Sequence, residues 1–158
     1  MVGAVGCMVQ RLKNDIFRKA PDIDFAVGTH SLSNLPAILD LVAGGRGPIL
    51  DVGEDGECLD ELAGHIGGNV SAFVNILLGC ERGCAYCVVP FVRGKERSRE
   101  APAVIEEVKN IIAQGCSEIT LLGQSVMSYG KTNAVWPEGN VSPRGFTEPL
   151  ARLLEVVN

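Results

Sequence analysis

The chain has 158 residues, enough for one ordinary domain or two small or incomplete ones, and 46% of them are hydrophobic, which is enough for a packed core. Aromatic residues make up only 5%, so the core must rest on Val, Ile, Leu and Ala, as in α/β proteins with buried parallel strands. The formal net charge of −5 argues against a general nucleic-acid-binding domain, because phosphate binding needs a basic surface.

The first eight residues are apolar but lack a basic leader, so they favour a strand over a signal peptide. No stretch approaches the roughly 18 apolar residues of a membrane helix. We therefore expect a cytoplasmic protein with no membrane partner. In that compartment six cysteines indicate metal or redox chemistry rather than disulfides.

The first third of the chain alternates strand and helix patterns. Apolar runs predict strands at Val2–Val5, Phe25–Gly28 and Ile49–Val52, and helices are expected over Val9–Lys19 and Leu32–Val42. Ser31 is the expected N-cap of the second helix. This β-α-β-α-β order predicts a doubly wound α/β domain over residues 1–55, followed by an acidic, glycine-rich linker over 56–69.

A second α/β pattern runs over residues 70–158. It begins with an apolar strand at Ala72–Leu78 and a helix near Ala103–Gln114, which has one apolar face and ends before Gly115. A strand at Ile119–Leu122 follows, and Pro149 opens a last helix toward Val157. This is the order in which a parallel barrel would begin.

Three cysteines follow the strand at Ala72–Leu78 in a C-x3-C-x2-C spacing: Cys80, Cys84 and Cys87. A 4Fe–4S cluster normally takes four thiolates, so three on one loop would leave one iron without a protein ligand. Zinc remains an alternative, although zinc sites usually have a second pair of ligands. Inert cysteines are the other alternative.

This spacing, with the aromatic Tyr86 just before the last cysteine, resembles the signature of the radical S-adenosylmethionine (SAM) superfamily. The resemblance implies that Cys80, Cys84 and Cys87 hold a 4Fe–4S cluster whose open iron chelates SAM. It also implies that Tyr86 lies near the bound SAM.

Longer strings resemble the methylthiotransferase family within that superfamily, and its tRNA branch in particular. They are VVPFVRGKERSR at 88–99 and LLGQSVMSYG at 121–130, with VGCM at 5–8, PDID at 21–24 and VGT at 27–29. The resemblance implies the C-terminal half of a flavodoxin- or Rossmann-like domain, followed by the first βα units of a radical SAM partial TIM barrel. We therefore expect a fragment truncated at both ends and inactive alone.

Family membership would imply transfer of a methylthio group to isopentenyl-adenosine beside the anticodon of tRNA. The expected partners are tRNA, SAM and an electron donor, and the expected state is a monomer. Cys7 matches a ligand of a second 4Fe–4S cluster, and Gln124 would point into the SAM site. A ribosomal-protein aspartate methylthiotransferase and a non-catalytic metal-binding fragment are the alternatives.

Other residues have weaker signals. Ser125 and Met127 depart from the family's Gln-Asn-Val-Asn pattern. Cys58 and Cys116 are expected to be structural, and neither His30 nor His65 has ligand spacing. The basic run Arg93, Lys95, Arg97 and Arg99 is either a solvated face or a contact to SAM or RNA phosphate. Trp136 and Phe146 either stack on a base or pack over the barrel rim.

Overall fold

The computed structural model describes residues 1–53, 70–137, 144–145 and 147–158. Within these ranges the chain divides into two units. Residues 1–53 and 83–94 form the first, and residues 70–82 with the described residues from 95 onward form the second. The predicted linker over 56–69 lies outside the described residues, and the domain boundaries stay a prediction.

The first unit contains a parallel sheet with the strand order β1-β2-β3. Its elements are β1 (Gly3–Val5), α1 (Cys7–Leu12), α2 (Asp15–Lys19), β2 (Phe25–Val27), a 3-10 helix (Thr29–Asn34), α3 (Leu35–Ala43), β3 (Ile49–Asp51) and α4 (Val89–Arg93). On β2, Ala26 packs with Val9 and Ile16, whereas Val27 packs with Ile38. Because neighbouring residues of a strand face opposite sides, apolar helices cover both faces of this sheet.

Two local predictions in this unit are wrong. The expected helix over Val9–Lys19 is split into α1 and α2 at Lys13, whose φ of 50° lies in the left-handed region. Ser31 is not a helix cap, because its hydroxyl donates to the Asp51 carboxylate at 2.6 Å. Helix α3 starts instead at Leu35, where Pro36 fits the first turn because that turn needs no N–H donor there.

The second unit contains a mixed sheet with the order β5-β4-β6. Its elements are β4 (Ser71–Leu78), β5 (Arg97–Ser98), α5 (Ala101–Ala113), β6 (Glu118–Gly123), a 3-10 helix (Val126–Ser128) and α6 (Pro149–Val157). Strand β4 pairs in parallel with β6, as the pattern predicts, and antiparallel with the two-residue β5, which the pattern does not predict. The α/β class is confirmed.

Helix α5 packs on β4 through the apolar face that the sequence predicts. Val104, Val108 and Ile111 are buried in one core with Ile76. Gly115, with a φ of 96°, follows the helix and donates its N–H to the carbonyl of Ile112, as expected of a glycine at a helix end. In the part of the chain that the structure describes, no helix is long and apolar enough to cross a membrane.

Candidate metal centre

The loop after β4 carries the three cysteines with the C-x3-C-x2-C spacing. Gly79 leaves the strand with a φ of 74°, a conformation that glycine adopts without strain, and Cys80 follows it. Cys80 is buried, Cys84 is exposed and Cys87 is half-buried, and all three are free thiols. The N–H of Cys87 donates to the carbonyl of Cys84 at 3.0 Å, so these two cysteines share one turn.

The donor set of this loop fits an iron–sulfur cluster, since such clusters are held by cysteine thiolates. Its thiols are not committed to disulfides, and that of Cys84 is open to solvent. Among the described residues, no group of three or more His, Cys, Asp or Glu side chains is already gathered to hold a metal ion.

Tyr86, the aromatic residue of the signature, makes almost no contact with the protein. Its side chain is 94% exposed, and Phe91 in the helix that follows is also largely exposed. Large aromatic side chains usually bury most of their surface. Tyr86 is therefore available to a ligand and contributes little to the packing of the first unit.

Gln124 follows directly after β6, at the carboxyl end of the strand. Its side-chain oxygen Oε1 accepts a hydrogen bond from the backbone N–H of Gly79 at 2.7 Å. Because Gly79 immediately precedes Cys80, Gln124 fixes the start of the cysteine loop. The sequence places Gln124 at a strand end, but this bond spans 45 positions and has no sequence signal.

Cys7 lies at the first residue of α1, in the first unit. Its sulfur accepts a hydrogen bond from Nε of Arg93 at 3.1 Å. Arg93 is the last residue of α4 and belongs to the same unit. The contact joins residues 86 positions apart, and spacing alone could not have revealed it.

The basic run at 93–99 is not a uniform solvated face. Arg93 contacts Cys7, and Arg99 lies mostly buried, 2.7 Å from the carboxylate of Glu107. Arg99 also donates to the carbonyl of Asn75 at 2.7 Å. Lys95, by contrast, is exposed. Arg93 and Arg99 therefore both have defined internal partners.

Residues of the string at 121–130 also make hydrogen bonds within the protein. The Tyr129 side chain is fully buried, and its hydroxyl donates to the carbonyl of Arg99 at 2.9 Å. Gly130 donates its N–H to the Ser98 hydroxyl at 2.9 Å. Asn133 bonds both the N–H and the carbonyl of Ser98, each at 2.9 Å. These bonds tie β5 to the segment after β6.

The two positions that depart from the family pattern lie in the same segment. The Ser125 and Ser128 hydroxyls are 2.9 Å apart and share a hydrogen bond. The Met127 side chain is 69% exposed. Ser125 is thus bound locally, whereas Met127 faces solvent.

Two residues with weaker sequence signals pack in or against the core of the second unit. Cys116 is buried in the core of the second unit, as expected. Trp136 packs against that core, and the guanidinium of Arg152 lies 4.4 Å from its ring centroid, so its ring already has a partner. Cys58, His65 and Phe146 lie outside the described residues.

The chain is similar in sequence to synthases whose name describes a modification of tRNA. It is 41% identical over 134 residues to the tRNA-2-methylthio-N(6)-dimethylallyladenosine synthase of Staphylococcus aureus, in strains JH9, Newman and JH1 alike. The match covers 83% of this chain and 26% of each synthase, so the chain spans about a quarter of the length of these relatives. No family model matches the chain. The resemblance to the tRNA branch of the methylthiotransferases is thereby confirmed.

Proposed function

We propose that this chain is part of a radical SAM methylthiotransferase that adds a methylthio group to isopentenyl-adenosine beside the anticodon of tRNA. One observation carries the proposal. The chain is 41% identical over 134 residues to synthases named for that product. Its free cysteines on one loop fit the donor set that such chemistry requires.

Within this proposal, Cys80, Cys84 and Cys87 hold a 4Fe–4S cluster with one open iron, and Cys7 is one ligand of a second cluster. A bound cluster and SAM supply the one-electron chemistry that generates a radical. The protein would orient the reactants. Tyr86, which is exposed, is suited to contact SAM, and Gln124 sets the start of the loop through Gly79.

We also propose how the two sheets correspond to domains. Residues 1–55 would form half of a doubly wound domain, which agrees with a parallel sheet covered by helices on both faces. Residues 70–158 would form the first βα units of a radical SAM barrel, which agrees with the parallel pairing of β4 and β6.

Anaerobic reconstitution of the chain with ferrous iron and sulfide tests the metal centre. Iron and sulfide are measured in the wild type, in the triple Cys→Ser variant of Cys80, Cys84 and Cys87, and in a Cys116→Ala control. We expect the triple variant to lose most of the bound iron and the control to retain it. Zinc uptake through the same three cysteines without stable iron binding would contradict the proposal and support a non-catalytic metal-binding module.

A chimera tests the substrate. This chain replaces the matching region of the S. aureus synthase, and the chimera is produced in a strain that lacks the synthase. We expect methylthiolated isopentenyl-adenosine in digested tRNA, and none from the same chimera with Cys80→Ser. A methylthio group on a ribosomal-protein aspartate, with none on tRNA, would instead favour the other branch of the family.

A further inference from the structure

Helix α4 holds the second half of the cysteine loop to the first unit. The Val92 side chain is buried, and the Val92 carbonyl accepts a hydrogen bond from the hydroxyl of Thr29 at 2.5 Å. Thr29 is itself 1% exposed. A buried carbonyl that lost this donor would pay the cost of desolvation without compensation. The bond therefore ties α4 to the 3-10 helix of the first unit.

The contact between Arg93 and Cys7 is a second attachment of the same helix. A guanidinium has only donors and no acceptor, so its Nε–H is the donor in this contact. It reaches the Cys7 sulfur at 3.1 Å. Helix α4 is thus fixed at two successive residues, Val92 by its carbonyl and Arg93 by its side chain.

The attachment lies very close to the proposed ligands. Only Val88 separates Cys87 from the first residue of α4, and Cys84 shares a turn with Cys87. A metal site binds tightly when its ligands are held in place before the metal arrives, because less ordering is then needed on binding.

We infer that Thr29 and Arg93 are positioning residues for the metal centre: by fixing α4, they hold Cys84 and Cys87 in place for the cluster. The inference rests on the proposed function, since it assumes that these cysteines are ligands. It assigns a role in the metal site to a residue of the VGT string, more than 50 positions before the loop.

The test compares three hydroxyl variants of the 3-10 helix in the full chain. Thr29→Val removes the donor to Val92 and keeps the shape of the side chain, and Thr29→Ser keeps the donor. Ser31→Ala is the matched control, because Ser31 is equally buried and donates to Asp51 instead. Arg93→Met and Arg93→Lys form a second pair, in which only Lys can still donate.

Two readouts are measured. In the metal-free chain, we expect amide hydrogen exchange over 89–93 to be faster in Thr29→Val than in Ser31→Ala. After reconstitution with iron and sulfide, we expect Thr29→Val to lose iron to a chelator about tenfold faster than wild type, which corresponds to about 1.4 kcal/mol in the activation free energy of iron release. Arg93→Met should also lose iron faster. Thr29→Ser should behave like wild type, and Arg93→Lys should fall between wild type and Arg93→Met.

The possible failures are distinct. Equal rates of iron loss in Thr29→Val and Ser31→Ala, from a wild type that binds iron through the loop, would overturn the inference and leave the proposed function standing. Unchanged amide hydrogen exchange over 89–93 in Thr29→Val would show that the Thr29 hydroxyl does not hold α4 in place. A wild type that takes up no iron would overturn the proposed function, and the inference with it.

Discussion

The two tyrosines of the chain have contrasting surroundings, although both lie in motifs that support the resemblance: Tyr86 in the cysteine signature of the superfamily, and Tyr129 in the string at 121–130. Tyr86, in the cysteine loop, is 94% exposed, whereas Tyr129, after β6, is fully buried and hydrogen-bonded to the Arg99 carbonyl. The Tyr86 ring is thus free to contact a ligand, whereas the Tyr129 side chain is held in internal contacts. A motif can therefore indicate a family without showing which of its residues contact a ligand and which only stabilise the fold.

The largest effect on stability is expected at Arg99, on the scaffold side of this contrast. Arg99→Met would leave the Glu107 carboxylate without its partner in a site where both side chains are mostly buried. Breaking such a pair from one side costs about 3–5 kcal/mol. Urea unfolding followed by circular dichroism measures the loss.

The control is Lys95→Met, which changes an exposed charge of the same run. Its free energy of unfolding should stay within about 0.5 kcal/mol of wild type. A loss in Arg99→Met as small as that in Lys95→Met would mean that Arg99 also lies on a solvated face.

A smaller loss is expected at Asn133, which extends β5 through its side chain. Asn133→Ala removes two hydrogen bonds to the backbone of Ser98, at about 1 kcal/mol each, so the free energy of unfolding should fall by about 2 kcal/mol. Thr132→Ala, a change at an exposed neighbour, is the comparison. A fall in the urea midpoint with an unchanged m-value would show that only stability has changed.

The sequence was informative where periodicity extended over many residues. Strand β4 and helix α5 are long enough for their apolar faces to be recognised, and both form as predicted. Strand β5 has two residues, too few to show any alternation. Ser31 has the chemistry of an N-cap, but a carboxylate 20 positions away competes for its hydroxyl.

The candidate ligands could be proposed from the sequence, whereas the contacts that hold their loop could not. The spacing of Cys80, Cys84 and Cys87 depends on neighbours in the chain, so it can be read directly. The bonds from Gly79 to Gln124 and from Arg93 to Cys7 depend on how distant segments pack. Tertiary packing decides such pairs, and one sequence carries no record of it.

The pH dependence of stability gives a separate test of the buried tyrosine, Tyr129. Burial disfavours the phenolate of Tyr129 and, despite the opposing charge of Arg99, raises its pKa to about 12 from 10.0. The Tyr129 hydroxyl therefore ionises at a lower pH in the unfolded chain than in the folded chain. The stabilising contribution is fully present below pH 10 and is lost as the pH rises toward 12.

Tyr129→Phe should remove that part of the alkaline dependence. At neutral pH it should also lower the free energy of unfolding by about 1 kcal/mol, because the Arg99 carbonyl loses its donor. Urea unfolding at a series of pH values measures both effects. Parallel losses of stability above pH 10 in wild type and variant would show that another group is responsible.

The smallest effect on stability is expected at Tyr86. Because its side chain is almost fully exposed, Tyr86→Ala should change the free energy of unfolding by less than about 0.5 kcal/mol and leave iron uptake unchanged. If Tyr86 contacts SAM as proposed, the iron-loaded variant should bind SAM more weakly by calorimetry, and Tyr86→Phe should retain most of the affinity because it keeps the ring. A destabilisation as large as that of Tyr129→Phe would mean that Tyr86 also contributes to packing, and the contrast between the two tyrosines would be wrong.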